Sequence, residues 1–361
     1  MLVRQPGAVA HPAPPRCTAP NGTVSVPLCL EYLHCLSQPA PAMLLATVFD
    51  KTYEKIVLEH WLVRAHSLGY TSAAAFTILK DTIVRVVGGA HGEHECTADF
   101  AESGPQYSWL APTHVGFFKF LVMWHALALA QARGKRRGAA SGGSGTPRPS
   151  GFERGGVIFS EADVVLLRDP MEEPLGALSR AGDFEGDMLI SSHAYNPMVN
   201  IGFMIFFASE ASLYAAERFV GVFYDVDQSL RRADKNERAF DQLVFDAQLG
   251  NSWRINDART RDPSIPMTPN YASSVPQLKA EGRELHWETL PPSQYVEFSG
   301  SPLCWPLRSE GCWGGAVEAA VTAHFTCLPT SMKLSNIEQL YVNKTCHFCA
   351  ICWGNETEHK Y

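Results

Sequence analysis

The residues best placed to do chemistry are Glu161 and Asp163, in the stretch Val157 to Pro170, VIFSEADVVLLRDP. A run of β-branched and aromatic residues bounded by Gly155 and Gly156 predicts a buried, central parallel strand over 157–160. The two carboxylates then fall at its C-terminal end, the edge of an open α/β sheet where ligands bind. On extended backbone, side chains two apart point the same way, so both acids could face one cation. Hard oxygen ligands of this kind suit Mg²⁺ or Mn²⁺ held together with substrate phosphates. Acids at this spacing also occur in solvated turns, so the pair needs context.

Other clusters carry less chemistry. Cys346, Cys349 and Cys352 form a CxxCxxC run with His347 inside, a pattern open to zinc or a cluster or, with Cys304, Cys312 and Cys327 nearby, to disulfides. His91, His94 and Cys96 match no zinc spacing and read as part of a polar loop over 88–106. Asp225 and Asp227 repeat the acidic spacing, but a helical pattern precedes them and predicts a solvated turn. Asn200 and Gly202 open the run NIGFMIFF, where Gly202 either admits a ligand close to the backbone or marks a bulge.

The elements that must position these residues follow from periodicity. Residues 1–42 are Pro- and Ala-rich without periodicity and read as an N-terminal extension. Met43 to Phe49 predicts the first strand. Asp50 is an N-cap for a helix over 51–68, whose inward face is Tyr53, Val57, Trp61, Ala65 and Leu68 and which Gly69 stops. Strands follow at 75–79 and 84–87. The apolar stretch 115–130 predicts a helix buried inside the fold, being short for a membrane span and carrying Lys119 and His125. Residues 133–156, rich in Gly, Ser and Pro, read as a flexible insertion. Strands at 187–192 and 200–207, helices at 210–224 and 237–249, a loop at 258–283, and strands at 284–290, 295–298 and 317–325 complete the pattern. The last strand should end on His324. This is an α/β domain over 43–340 with a Cys-rich tail at 341–361.

At 361 residues and 46% hydrophobic, the chain can bury a substantial core. A net charge of −7, with its basic cluster Arg133 to Arg137 in low-complexity sequence, argues against nucleic acid as a partner. Ten cysteines gathered towards both ends, with sequons at Asn21, Asn343 and Asn355, favour an oxidising secretory compartment. The opening MLVRQPGAVAHPAPPRC has no apolar segment, so no signal peptide or membrane anchor is expected in this sequence.

Several ordered pieces, ATVFDKTYEKIVLEHWLVRAHSLGY, FSEADVVLLRDP, NIGFMIFFAS, FDQLVFD and AHFTCLPTSMK, give the chain a resemblance. From about Met43 to Lys333 it resembles the nucleotide-diphospho-sugar transferase family of eukaryotic glycosyltransferases. That family includes retaining enzymes of plant and algal cell walls and glycoproteins. The resemblance implies a GT-A fold, a Rossmann-type mixed sheet flanked by helices in one catalytic domain. It also implies Mn²⁺ (or Mg²⁺), a nucleotide-sugar donor of UDP type, a glycan or glycoprotein acceptor, and a Golgi or secretory lumen. Asp163 keeps the second acid of the family's D-x-D motif, while Glu161 replaces the first and is open between metal, sugar, ribose and a metal-bound water. By the same resemblance His324 is a late metal ligand and Lys333 a diphosphate contact. Thr47, Asp50 and Asp81 lie towards the nucleotide, with Asp50 equally suited to structural capping. Lys119 approaches nucleotide or sugar, or else snorkels from the core. Asn200 and Gly202 line the donor sugar. Asp241 and Gln242 face sugar or acceptor, Asp241 being the carboxylate to test as a transient nucleophile. The rival reading is a sugar-nucleotide or glycan-binding protein that kept this fold without turnover; a third is a cysteine-rich, zinc-binding structural protein.

Overall fold

The computed structural model describes residues 16–19, 22–25, 43–71, 73–80, 83–88, 94–99, most positions of 119–131, and 155–171, 186–192, 199–233, 241–249, 285–291, 294–299, 311–313, 320–326 and 328–343. Asp81, the insertion at 133–154, the loop at 258–283 and the CxxCxxC tail lie outside them.

The architecture is α/β, as expected. The first acidic-side strands are Met43–Phe49 (β3), Ala74–Lys80 (β4) and Gly156–Ser160 (β7). β3 runs parallel to both β4 and β7 and is buried along its whole length. Such burial on both faces suits its unbroken apolar sequence. Val199–Phe207 (β10) lies antiparallel to β7 and to Met188–Ser192 (β9), and Trp287–Thr289 (β11) adds a parallel edge. On the other side come Ile83–Gly88 (β5) and His94–Asp99 (β6), then the hairpin of Arg16–Ala19 (β1) and Gly22–Ser25 (β2). The order in this ten-stranded mixed sheet is β11-β9-β10-β7-β3-β4-β5-β6-β1-β2. A second, four-stranded sheet has the order β13-β12-β14-β8, from Val164–Leu166 (β8), Tyr295–Ser299 (β12), Gly311–Trp313 (β13) and Thr322–Thr326 (β14).

Helices cover both faces. After β3, residues 51–53 form a turn, then Glu54–Ile56, Val57–Trp61 and Leu62–Ser67 run on as one helix, α1, whose middle segment is a π-helical turn. Gly69, at φ 91°, ends it in the left-handed region, as the sequence predicts. The described positions between 119 and 131 are helical (α2). Glu210–Ala233 (α3), Asp241–Gln248 (α4) and Thr330–Asn343 (α5) follow. One face of the large sheet packs on α2, α3 and α4 through Phe120, Phe219, Phe223 and Phe245. Its other face buries Trp61 and Val57 of α1 with Ile158, Val164 and Tyr295. A third cluster joins the small sheet to Ile337 and Leu340 of α5.

Several expectations are corrected. Residues 161–163 are not extended: Val164 N–H donates to Glu161 O at 3.1 Å, closing a turn through which the chain leaves the large sheet and enters the small one. The final strand begins at Thr322 and runs to Thr326, so His324 is central rather than terminal, paired opposite Val164 and Glu297. Asp225 and Asp227 do not open a turn; the helix continues through them to Ala233, with Asp227 buried. Six residues of the supposed polar loop at 88–106, His94–Asp99, are strand β6, and the N-terminal extension supplies the β1–β2 hairpin that pairs with it. Among the described residues no helix is long and apolar enough to cross a membrane.

Candidate metal centre

The turn between the sheets carries the site. Its backbone is fixed from two directions: Glu161 N–H donates to Gly202 O of β10 at 2.7 Å, and Phe325 N–H of β14 donates to Asp163 O at 3.1 Å. β14 alternates, with Ala323 and Phe325 turned to the α5 cluster and His324 therefore turned back towards the turn. Glu161, Asp163 and His324 thus converge, each offering one ligand atom, with all three atoms within 4.8 Å of one another. His324 Nε2 lies 3.2 Å from Asp163 Oδ1 and 3.5 Å from Glu161 Oε2. From the start of α5, Lys333 Nζ donates to Asp163 Oδ2 at 2.6 Å.

Gly202 makes room for the imidazole. A Cβ at that position would meet His324 Cε1 at 2.1 Å and Nδ1 at 2.6 Å, so no side chain fits unless the ring moves. Gly202 thus leaves the space that the His324 ring fills, and its carbonyl accepts from Glu161 N–H. Asn200 and Gln242 set the local path of β10: Asn200 Oδ1 accepts from Gly202 N–H at 2.8 Å, and Gln242 Oε1 accepts from Ile201 N–H at 3.0 Å while its Nε2 donates to Val199 O at 2.7 Å. These bonds hold a register irregularity between Asn200 and Met204 against β9.

On the far side of Glu161, Lys119 of α2 donates to Glu161 Oε1 and lies 2.6 Å from Asp241 Oδ2 at the start of α4. The charges therefore alternate along one line: Asp241, Lys119, Glu161, His324, Asp163, Lys333. Burial alone would raise the Glu161 carboxyl and lower His324. Lys119 nevertheless pulls Glu161 down to about 2, and Asp163 with Glu161 lifts His324 to about 9. Asp163, similarly opposed by burial, is held well below the usual carboxylate range by Lys333 and then His324. The two carboxylates that His324 faces thus bias it towards its protonated form.

The remaining predicted residues are more dispersed. Asp50 Oδ1 accepts from Thr52 and Tyr53 N–H at 2.8 and 3.3 Å and so closes the turn at 51–53; it is not the N-cap of the helix, which begins at Glu54 with Tyr53 in that position. Thr47 is buried in β3, its Oγ1 without a partner among the described residues. Tyr53, read from sequence only as part of an apolar helix face, is a residue that reasoning missed: its phenol is pushed up by burial and by Asp163, Asp50 and Glu161, so it stands near the acids. Its position three residues beyond Asp50, at a strand-to-helix junction, was the available signal.

Two carboxylates and an imidazole, with a hard-oxygen majority, form a donor set able to hold a divalent cation such as Mn²⁺, Mg²⁺ or Zn²⁺. No protein-family profile matches the chain, and a search of curated proteins finds no match.

Proposed function

We propose that the chain is a metal-dependent glycosyltransferase of GT-A type, transferring a sugar from a nucleotide-diphospho-sugar, a UDP-sugar, to a glycan or glycoprotein acceptor in the secretory pathway. The observation that carries this reading is the meeting of Glu161, Asp163 and His324 at the C-terminal end of a central parallel strand, with Lys333 at its rim. A lone metal site would need no such lysine. A leaving diphosphate does, because negative charge develops on it as the anomeric C–O bond breaks.

Glu161, Asp163 and His324 would hold Mn²⁺, which as a Lewis acid supplies stabilisation of that charge. Lys333, 18% exposed at its side chain, can turn from Asp163 towards a phosphate oxygen and donate there. One lost donor in a comparable electrostatic role costs about 2.7–4 kcal/mol of barrier. Tyr53 and Asp50 flank the β3 end, where the nucleotide would lie. Asp241 has one oxygen on Lys119 and the other accepting from Gln242 N–H at 2.9 Å. Both being occupied, front-face departure and attack with retention is favoured over an Asp241 nucleophile, and Asp241 orients rather than attacks.

The test is donor hydrolysis and transfer by purified protein with Mn²⁺ across a panel of UDP-sugars. Turnover that disappears in Asp163→Ala is expected. Binding of UDP-sugars without turnover across the whole panel would instead identify a binding protein of this fold.

A further inference from the structure

Lys119 is 2% exposed, in a helix whose described residues are mostly apolar, and its ammonium is committed to Glu161 and Asp241. Its neighbour Phe120 is fixed by ring contacts to Phe219 at 5.8 Å, Phe223 at 6.1 Å and Phe245 at 5.8 Å, so α2 has little freedom to turn. Nζ also lies 6.0 Å from the centre of the Phe159 ring, the residue two before Glu161. A lysine in this position is not available to a ligand.

Glu161 is equally constrained at its backbone, donating through N–H to Gly202 and accepting through O from Val164. Its carboxylate spans the gap between two partners: Oε1 takes the Lys119 hydrogen bond while Oε2 faces His324 Nε2 at 3.5 Å. With the main chain pinned at both sides, side-chain length decides whether one carboxylate reaches both. Aspartate is one methylene shorter.

We propose that Lys119 is a positioning residue for the metal centre, matched to glutamate at 161: it fixes Oε1 so that Oε2 points at the cation, and the added methylene is what allows the span. This rests on the metal-centre reading above. It predicts that shortening Glu161 to aspartate, although it keeps the charge, impairs the site.

The experiment measures Mn²⁺ binding to the full chain by calorimetry for wild type, Glu161→Asp, Lys119→Met and the double variant, with urea unfolding of each metal-free protein. Each single substitution should weaken Mn²⁺ binding roughly ten- to a hundredfold. The double variant should bind no worse than the weaker single, because the two residues act as one unit. Equal affinity of Glu161→Asp and wild type, or losses that multiply, overturns the proposal. If wild type binds no Mn²⁺, the unfolding midpoints decide: coupled shifts uphold the Lys119–Glu161 match and overturn the metal reading, whereas additive shifts overturn the match. Should Lys119→Met fail to fold, Glu161→Asp alone carries the test.

Discussion

The two ends of the charge line use the same pair of groups, a lysine on a carboxylate, to opposite effect. At one end Lys333 reaches Asp163 from the first turn of α5, with 18% of its side chain exposed. At the other, Lys119 reaches Glu161 and Asp241 from within α2, with 3% exposed. An ammonium at a rim can change partners at little cost, while one enclosed in the interior between two carboxylates cannot turn to a ligand without giving up both contacts. Burial, rather than residue type or distance, therefore separates a lysine that can serve a ligand from one that holds the scaffold.

The sharpest way to break this comparison is to remove each ammonium in turn. Lys119→Met removes the ammonium from Glu161 and Asp241 together, two charge-assisted contacts, and should cost about 3–5 kcal/mol of stability, measured by urea unfolding. Lys333→Met leaves Asp163 its contact with His324 and should cost less, about 1.5–3 kcal/mol. Its larger effect should fall on turnover, roughly 10²–10³ in kcat with Mn²⁺ affinity retained. If the two variants lose stability equally and turnover equally, the division of labour is wrong.

Gly202→Ala tests the site from its other wall, with an effect of intermediate size. The added methyl must push the His324 ring aside, since the nearest ring atom would be 2.1 Å away. Mn²⁺ affinity should drop about ten- to a hundredfold while the fold, read by circular dichroism, is kept. Unchanged affinity would show that His324 does not ligate from this position.

Much of the fold was legible because it obeys simple periods. The β3–α1 unit, with Asp50 closing the turn before the helix and Gly69 ending it, needed only an apolar run, a turn-forming acid and a glycine, though the helix starts at Glu54 rather than at 51. The grouping of His324 and Lys333 with Glu161 and Asp163 was legible only as what the family resemblance implies, because nothing local to His324 distinguishes it from any histidine in a strand. What was not legible depends on who stands at the far end of a side chain. Lys119 looks from sequence like a lysine escaping an apolar helix, and only the approach of α4 and the β7 turn shows its ammonium enclosed. Gly202 reads as a ligand-facing or bulge glycine, and its contact with an imidazole from another sheet has no local signature. The extension of α3 through Asp225 and Asp227 has no sequence signal, because two acids at that spacing read as a turn, although Asp227 is buried.

The last effect is graded with pH and concerns the proton on His324. His324, ordinarily near 6.5, is raised to about 9 by Asp163 and Glu161 against the opposing pull of burial. A raised folded-state value means the imidazolium stabilises the metal-free fold fully below the unfolded value, and that this contribution is lost as pH rises through about 9. Nε2 faces both carboxylates, so it is also the nitrogen a cation must take, and binding has to displace its proton. Mn²⁺ affinity should therefore increase about tenfold per pH unit from near neutrality up to about 9 and then level off. The metal-free protein should lose stability over the same window while the Mn²⁺-saturated protein does not, a contrast that melting curves with and without Mn²⁺ would display. His324→Gln removes the titrating group and should flatten both profiles. An affinity that stays constant between pH 7 and 9 in the unmodified protein would mean that the proton and the cation do not share this nitrogen, and the line of alternating charges would then be a structural network alone.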